Sequence, residues 1–374
     1  MTNFLAQFPE YERHLREDPR SLLWNGMMLR ARLDEVSDLG IMASLDEVTA
    51  IGDRVVRDHP KEAKAHQMRA SARGAIHDFS AAVKELEEAE KLGARDDEIG
   101  DSRAAVALAL GRYDDAHEGF SRGIARHATP ASLLIDAMCL GHMQKTNDAD
   151  AQMATAEAAY RDVSPFMISW LYFQRGNLWD RAGDPDKAKG YYRIAVQRLP
   201  AYAHAVGHLS ELLPATEAKP LLEKIIETAD DPEYQASLAL VEEELAPGSG
   251  SARREKAAAG YDALMKKYPL AFGDHAGWFY LNVAHDPARA LAAAKVNFGN
   301  RKTPDSYELM IASELAAKKE PDACKHADEA LGLKYPTSEL RLRAAEAYEH
   351  CGKKDAAEKI KAAVGQVKTG GRGR

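Results

Sequence analysis

Cysteine is scarce in this chain: three in 374 residues, Cys139, Cys324 and Cys351. So sparse and odd a set gives no disulfide framework, fits a reducing compartment, and leaves the thiols as small helix-packing groups. No stretch approaches the ~18 apolar residues of a membrane-spanning helix. The opening MTNFLAQFPEYERHLRED lacks the basic region and apolar run of a secretory signal. Cationic excess is also missing: 50 Lys and Arg face 58 Asp and Glu, a net charge of −8. That balance favours solubility and argues against a general phosphate-binding surface. β-Branched runs are rare, while Ala, Leu, Glu, Lys and Arg abound, which predicts helix. The expectation is a soluble, cytoplasmic, helical protein with no membrane span and no nucleic-acid partner, or a periplasmic one if a leader has been removed.

Catalytic signatures are absent as well. There is no GxxxxGK[ST] loop and no GxGxxG following a strand, and Ser210 lies in HLSEL rather than in a GxSxG elbow. His204, His208 and Glu211 are spaced four and three apart on a helical pattern, a spacing two metal ligands can use. They lack the Glu of HExxH and a further ligand, so ordinary helix histidines are expected. Cys324 with His326, and His350 with Cys351, are too close for a metal knuckle. The expectation is no enzyme, no cofactor and no metal, with a metal-dependent enzyme built on His204, His208 and Glu211 as the remote alternative.

What the chain does have is proline at nearly fixed intervals. Pro130, Pro165, Pro200, Pro232, Pro269, Pro304 and Pro336 are separated by 35, 35, 32, 37, 35 and 32 residues. Pro60 lies two further periods upstream, with Arg95 in the vacant slot. A period near 34 is too short for a domain and suits one helical hairpin, and stacked hairpins form a solenoid.

Residues 165–200 show the unit most fully. Ser164 precedes Pro165 as a cap precedes a first-turn proline, Gly183 closes a helix ending near Arg181, and Asp184–Pro185 opens a second helix ending near Leu199. Gly176 sits mid-helix at a cost of ~1 kcal/mol, which a close helix crossing would justify. Ala188, Tyr192 and Ala195 share one face of the second helix. This unit resembles the tetratricopeptide repeat (TPR): Tyr172, Arg175–Gly176, Trp179, Ala188, Tyr192 and Pro200 occupy the family's Trp, Leu-Gly, Tyr, Ala, Phe and Pro places, with Arg175 departing from Leu. The other units are in phase but more degenerate. The resemblance covers about four-fifths of the chain and implies an all-α, right-handed superhelical solenoid of antiparallel hairpins, about nine of them over residues 60–367. Residues 1–59 read as an N-terminal helical cap or degenerate repeats, with a Ser44–Glu47 capping box. Residues 368–374 read as a disordered tail. APGSGSARRE, residues 246–255, reads as a flexible loop between two helices, exposing Arg253 and Arg254.

The resemblance also implies that first helices line a concave face which holds partner proteins. Exposed helical stripes nominate Leu140, Met143 and Gln144, then Trp170, Phe173 and Asn177, then Phe272, His275, Phe279 and Asn282 as partner-binding residues. Phe173 stands where some family members carry a Lys of a chaperone-tail clamp, so that clamp is not expected. The function expected is a non-catalytic protein-binding scaffold, adaptor or regulatory subunit that takes a peptide or helix. An assembly factor or chaperone for a bacterial surface or secretion apparatus is the alternative.

Overall fold

The computed structural model describes residues 2–364, and among them every regular element is helical. Two short helices, α1 (Thr2–Leu5) and α2 (Gln7–Glu17), precede the pair α3 (Leu22–Leu39) and α4 (Leu45–Asp58). Nine hairpins follow among the described residues. They are α5 (Ala63–Ala75) with α6 (Phe79–Lys91), α7 (Asp96–Ala109) with α8 (Tyr113–Arg126), and α9 (Pro130–His142) with α10 (Thr146–Ala159). Next come α11 (Pro165–Arg181) with α12 (Pro185–Arg198), α13 (Ala203–Glu211) with α14 (Ala215–Ile225), and α15 (Pro232–Leu245) with α16 (Ser251–Lys267). The last are α17 (Pro269–Asn282) with α18 (Pro287–Asn300), α19 (Pro304–Ala316) with α20 (Glu320–Leu331), and α21 (Ser338–His350) with α22 (Lys354–Val364). The expected tail at 368–374 and the solenoid's last residues, 365–367, lie outside the described residues.

The proline ladder marks hairpin starts in two ways. Pro130, Pro165, Pro232, Pro269 and Pro304 occupy the first helical position, where a missing N–H costs nothing. Pro60, Pro200 and Pro336 instead lie in the turn before the first helix. There they block continuation of the preceding helix. Side-chain caps complete several starts: Thr129, Thr303 and Thr337 accept from the N–H groups of Ser132, Ser306 and Leu340 at 3.1, 3.2 and 3.2 Å. At Arg95, where proline is missing, Glu98 reaches back to the Arg95 N–H at 2.8 Å.

Within the α11–α12 hairpin, the glycine has a visible cause. Tyr192 is fully buried, and a Cβ on Gly176 would fall inside the van der Waals envelope of its ring. The Tyr192 hydroxyl donates to Asn177 at 2.7 Å, so the ring is fixed at both ends. Ala188 and Ala195, both fully buried, keep α12 close to its neighbours.

The superhelix is wound tightly enough that its later hairpins lie against its first ones. Asp230 and Asp231, between α14 and α15, donate both backbone N–H groups to the Gly40 carbonyl at 3.1 Å. Gly40 has φ +67°, and a Cβ there would meet Tyr234, Ala203 and Ala229 within 2.9–3.2 Å. Further along the seam Asp46 accepts from the Tyr268 hydroxyl at 2.6 Å and also pairs with Lys267. Asn300 donates to the His77 carbonyl at 3.0 Å. Asp114 takes Lys334 and the Tyr335 hydroxyl, each at 2.8 Å. Met42 and Leu45 share an apolar cluster with Tyr268, Ala271 and Phe272.

Three local expectations are corrected. Ser44 forms no capping box: a 3₁₀ turn at Met42–Ser44 runs straight into α4, and its hydroxyl donates to buried Glu35 at 2.6 Å. The start of that turn is capped from another part of the chain, by the Asp230 carboxylate on the N–H groups of Met42 and Ala43. The 246–255 loop is shorter than expected, because α16 begins at Ser251. Arg253 and Arg254 lie on that helix and face Glu242 and Glu243 of α15 at 3.5 and 3.7 Å, so they are not loop contacts. Finally, Cys324 and Cys351 are joined in a disulfide, with Cα atoms 6.6 Å apart. Their separation of 27 residues hid this in the sequence. The crossing of α20 and α21 brings the end of α21 beside α20. Cys139 stays free and buried.

Gly176→Ala is expected to destabilise the protein. Overpacking costs ~1–3 kcal/mol or more, against ~1 kcal/mol gained in helix propensity. Gly190, exposed in α12 with open space around it, gives the opposite sign: Gly190→Ala stabilises by up to ~1 kcal/mol. Thermal melts of the two variants check this, and a Gly176→Ala protein as stable as Gly190→Ala contradicts the packing account. Thiol titration of the unfolded, unreduced protein should return Cys139 alone. Three titrating thiols would mean that Cys324 and Cys351 are not bonded.

Candidate functional site

Where the later hairpins lie against the first ones, the concave side of the superhelix lines a half-open cavity of about 890 Å³. First helices of successive hairpins supply most of that wall. The apolar part comes from Leu108 of α7, Met138 of α9, Leu240 of α15, Trp278 and Phe279 of α17, and Leu342 of α21. The polar part is dominated by charge: Arg181 beside Asp180 on α11, Asp274 and His275 on α17, Asp305 and Glu308 on α19, and Arg343 near Glu346 on α21.

The α17 segment, PLAFGDHAGWFYLN, is apolar on nearly all sides, as befits a helix buried along most of its length. Asp274 and His275 interrupt it and form the densest electrostatic cluster of the wall. His275 Nδ1 lies 3.1 Å from a Glu233 carboxylate oxygen, and Asp274 pairs with Arg301 while accepting from the His275 N–H at 2.9 Å. Burial opposes charge on His275, but Asp274 and the Glu233 hydrogen bond outweigh it and push its pKa up to about 10. Burial would likewise raise Glu233, yet the bond to His275 holds it down at about 2. Asp231 is buried and pushed up by desolvation and by Glu233, against the opposing pull of His275. Nearby His77 and His204 are lowered by desolvation, His77 to about 4, and stay neutral.

A second feature crosses the cavity. Arg181 of α11 and Asp305 of α19, 124 residues apart in sequence, pair at 2.8 and 3.3 Å. Both side chains face the cavity and keep 43% and 51% of their surface accessible. Desolvation pushes Asp305 up, but Arg181 overrides it and holds the carboxyl at about 2. Beside the pair the His142 and Tyr113 rings stack at 4.8 Å, and desolvation lowers His142 to about 4.

First helices that line most of the concave cavity and a Gly–Tyr crossing at the repeat's small-residue position together define the architecture. The chain is an all-α solenoid of stacked helical hairpins, whose small-residue crossing resembles that of the tetratricopeptide repeat. No protein-family profile and no curated protein matches its sequence. Among solved structures it is similar to YrrB, a TPR protein with an unusual peptide-binding site, at 14% identity over 52% of this chain and 95% of that one, with a TM-score of 0.31. It is similar to a tetratricopeptide repeat protein from Parabacteroides merdae at 14% identity over 72% and 99%, TM-score 0.35. A third is IFIT1 with Gppp-AAAA, at 11% identity over 96% and 94%, TM-score 0.46.

Of the ten residues nominated by helical stripes, His275 and Phe279 line the cavity. Phe173 is buried between hairpins, against Tyr192, Tyr202, His204 and His208. Leu140 and Met143 are buried, and Trp170 packs partly buried on the same core as Leu140. Phe272 is buried in the seam between superhelical turns. Gln144 is exposed in the turn after α9, Asn177 accepts from Tyr192, and Asn282 is half-buried at the end of α17. The charged wall was missed, because aromatic stripes were sought instead. The available signal was the acidic or basic residue set into an otherwise apolar first helix, as at Asp274–His275. His208 and Glu211 border the cavity, while the His204 ring lies near the Tyr234 hydroxyl. Among the described residues no group of three or more His, Cys, Asp or Glu is arranged to hold a metal. Nor, among them, is any helix long and apolar enough to cross a membrane.

The raised pKa of His275 sets a pH dependence. Its stabilising contribution is fully present below the unfolded-state value of ~6.5. It is lost as pH climbs from there through about 10. The melting temperature of wild type relative to His275→Gln is therefore expected to fall across that alkaline window. Parallel curves for the two proteins would contradict the assignment.

Proposed function

We propose that this chain is a non-catalytic protein-binding scaffold that encloses a segment of its partner within the superhelix. The observation carrying this reading is the cavity itself. At about 890 Å³ it lies in the ~300–1,000 Å³ range of sites that surround a ligand. Its wall mixes aromatic anchors with charged groups that orient what they hold. His275 and Phe279 contribute from the stripes read in the sequence, with Trp278 as the largest apolar surface beside them.

Nucleic acid is a poor occupant. The wall carries eight carboxylates, those of Asp180, Glu211, Glu233, Asp274, Asp305, Glu308, Glu339 and Glu346, against three arginines. The chain's net charge of −8 also offers a polyanion no general attraction. The disulfide between Cys324 and Cys351 favours an oxidising compartment over the cytoplasm. That supports the second reading, an assembly factor or chaperone acting outside the cytoplasm, within the same scaffold class.

Filling the cavity tests the proposal. Ala105 and Ser237 both border it, whereas Lys256 is exposed on α16 and is not among the lining residues. Ala105→Trp/Ser237→Trp should abolish capture of native partners from lysate, while Lys256→Trp captures them as wild type does. Equal capture by all three proteins would refute enclosure.

A further inference from the structure

We infer that the Cys324–Cys351 disulfide is a redox latch on the cavity. Oxidised, it holds α21 in the wall; reduced, it lets α21 leave, and the binding surface is lost. The inference rests on the protein-binding reading above and adds the regulation of that site. Two independent observations carry it.

The first is what the covalent ring contains. The chain from Cys324 to Cys351 runs through the second half of α20, the turn at 332–337 and all of α21. Within it Thr337, Leu342, Arg343 and Glu346 line the cavity. In the same ring Lys334 and Tyr335 make the seam contact with Asp114 of α8. One bond therefore constrains both a strip of the wall and a tie between superhelical turns. Opening it returns to that segment the conformational freedom that the ring removes.

The second is how little else holds the strip. α20 and α21 meet chiefly through alanines, Ala323, Ala327 and Ala330 on one helix and Ala344 and Ala347 on the other, with Tyr307 and Ile311 of α19 in the same cluster. Leu340 is the one large side chain among the buried residues of α21, and α22 buries only Ala357. By contrast α11 buries Leu171, Tyr172, Phe173 and Leu178. Apolar stabilisation scales with the area removed from water, so an alanine contact contributes least. The polar contacts at the crossing, from Tyr348 and Lys353 to Asp328, are exposed, where water and salt weaken them.

Cys324 is buried, whereas Cys351 is half-buried in the turn after α21, so an attacking thiolate approaches from the Cys351 side. With a dithiol reductant, the first thiolate bonds to the Cys351 sulfur and displaces Cys324, which takes up a proton. The second thiol then displaces Cys351, which is protonated in turn. The reductant leaves as its own disulfide, having given two electrons and two protons.

Hydrogen exchange read by mass spectrometry on the full chain, oxidised and after dithiothreitol, tests the latch. Reduction should speed exchange of the α21 amides by about tenfold or more and leave α11 and α12 unchanged. Cys324→Ser/Cys351→Ser should match the reduced protein without any reductant. Cys139→Ser should respond to dithiothreitol as wild type does, because Cys139 lies outside the ring. The double serine variant should also capture native partners as poorly as Ala105→Trp/Ser237→Trp. The inference is overturned if α21 exchanges alike in both redox states, if protection falls throughout the chain, or if the double serine variant captures partners as oxidised wild type does. Should that capture persist while cavity filling abolishes it, the latch falls and the scaffold reading stands. Should the filled protein still capture partners, both fall.

Discussion

The contact on which the architecture depends is the backbone stitch at Gly40. Its carbonyl accepts two N–H groups from Asp230 and Asp231, roughly 190 residues on. The close approach of Tyr234, Ala203 and Ala229 leaves no room for a Cβ there. The Asp230 carboxylate then caps the turn that begins α4. Met42 and Ala43, the donors so capped, are ones that a helix start leaves unsatisfied. Hairpin stacking alone makes a curved ribbon with an open concave face. This stitch, and the polar seam that continues it through Asp46, His77 and Asp114, curls the ribbon around a half-open cavity.

Enclosure changes what charge means on the inner wall. On an open face, Arg181, Asp274 and Asp305 would be screened and contribute little. In the half-open cavity protein walls replace part of the surrounding water, so pairing decides their ionisation. Arg181 holds Asp305 low, and Asp274 with Glu233 holds His275 high, in each case against desolvation. Histidines without such partners, His77 and His142, go the other way and stay neutral. The wall is thus sorted into fixed charges and neutral rings by local partners, around one space.

Much of the fold was legible in the chain. Proline spacing gave the hairpin frame because first-turn prolines and caps are local devices, decided within a few residues. Gly176 and Ala188 announced a crossing because only small residues permit it. The misses share one cause. Ser44 looked like a cap by local pattern, but its helix start is capped by Asp230 from a later turn. Cys324 and Cys351 looked unrelated at 27 residues' separation, and only the crossing of their helices joins them. Phe173 and Phe272 looked like groove anchors because helical periodicity distinguishes faces without saying which face meets a neighbour. In a solenoid both sides of a first helix are occupied, one by the next hairpin and one by the cavity.

The sequence by itself determined the repeat: its period, most of its hairpin starts, its small-residue crossings and its all-α character. Each is set by propensity, capping and steric contact over a few turns of chain. Tertiary structure alone decided that the concave face lines a half-open cavity and that Arg181 meets Asp305 in its wall. Those depend on superhelical curvature, the accumulated result of small rotations between hairpins. No single unit encodes that sum, so residues more than 100 positions apart become neighbours without any local sign of it.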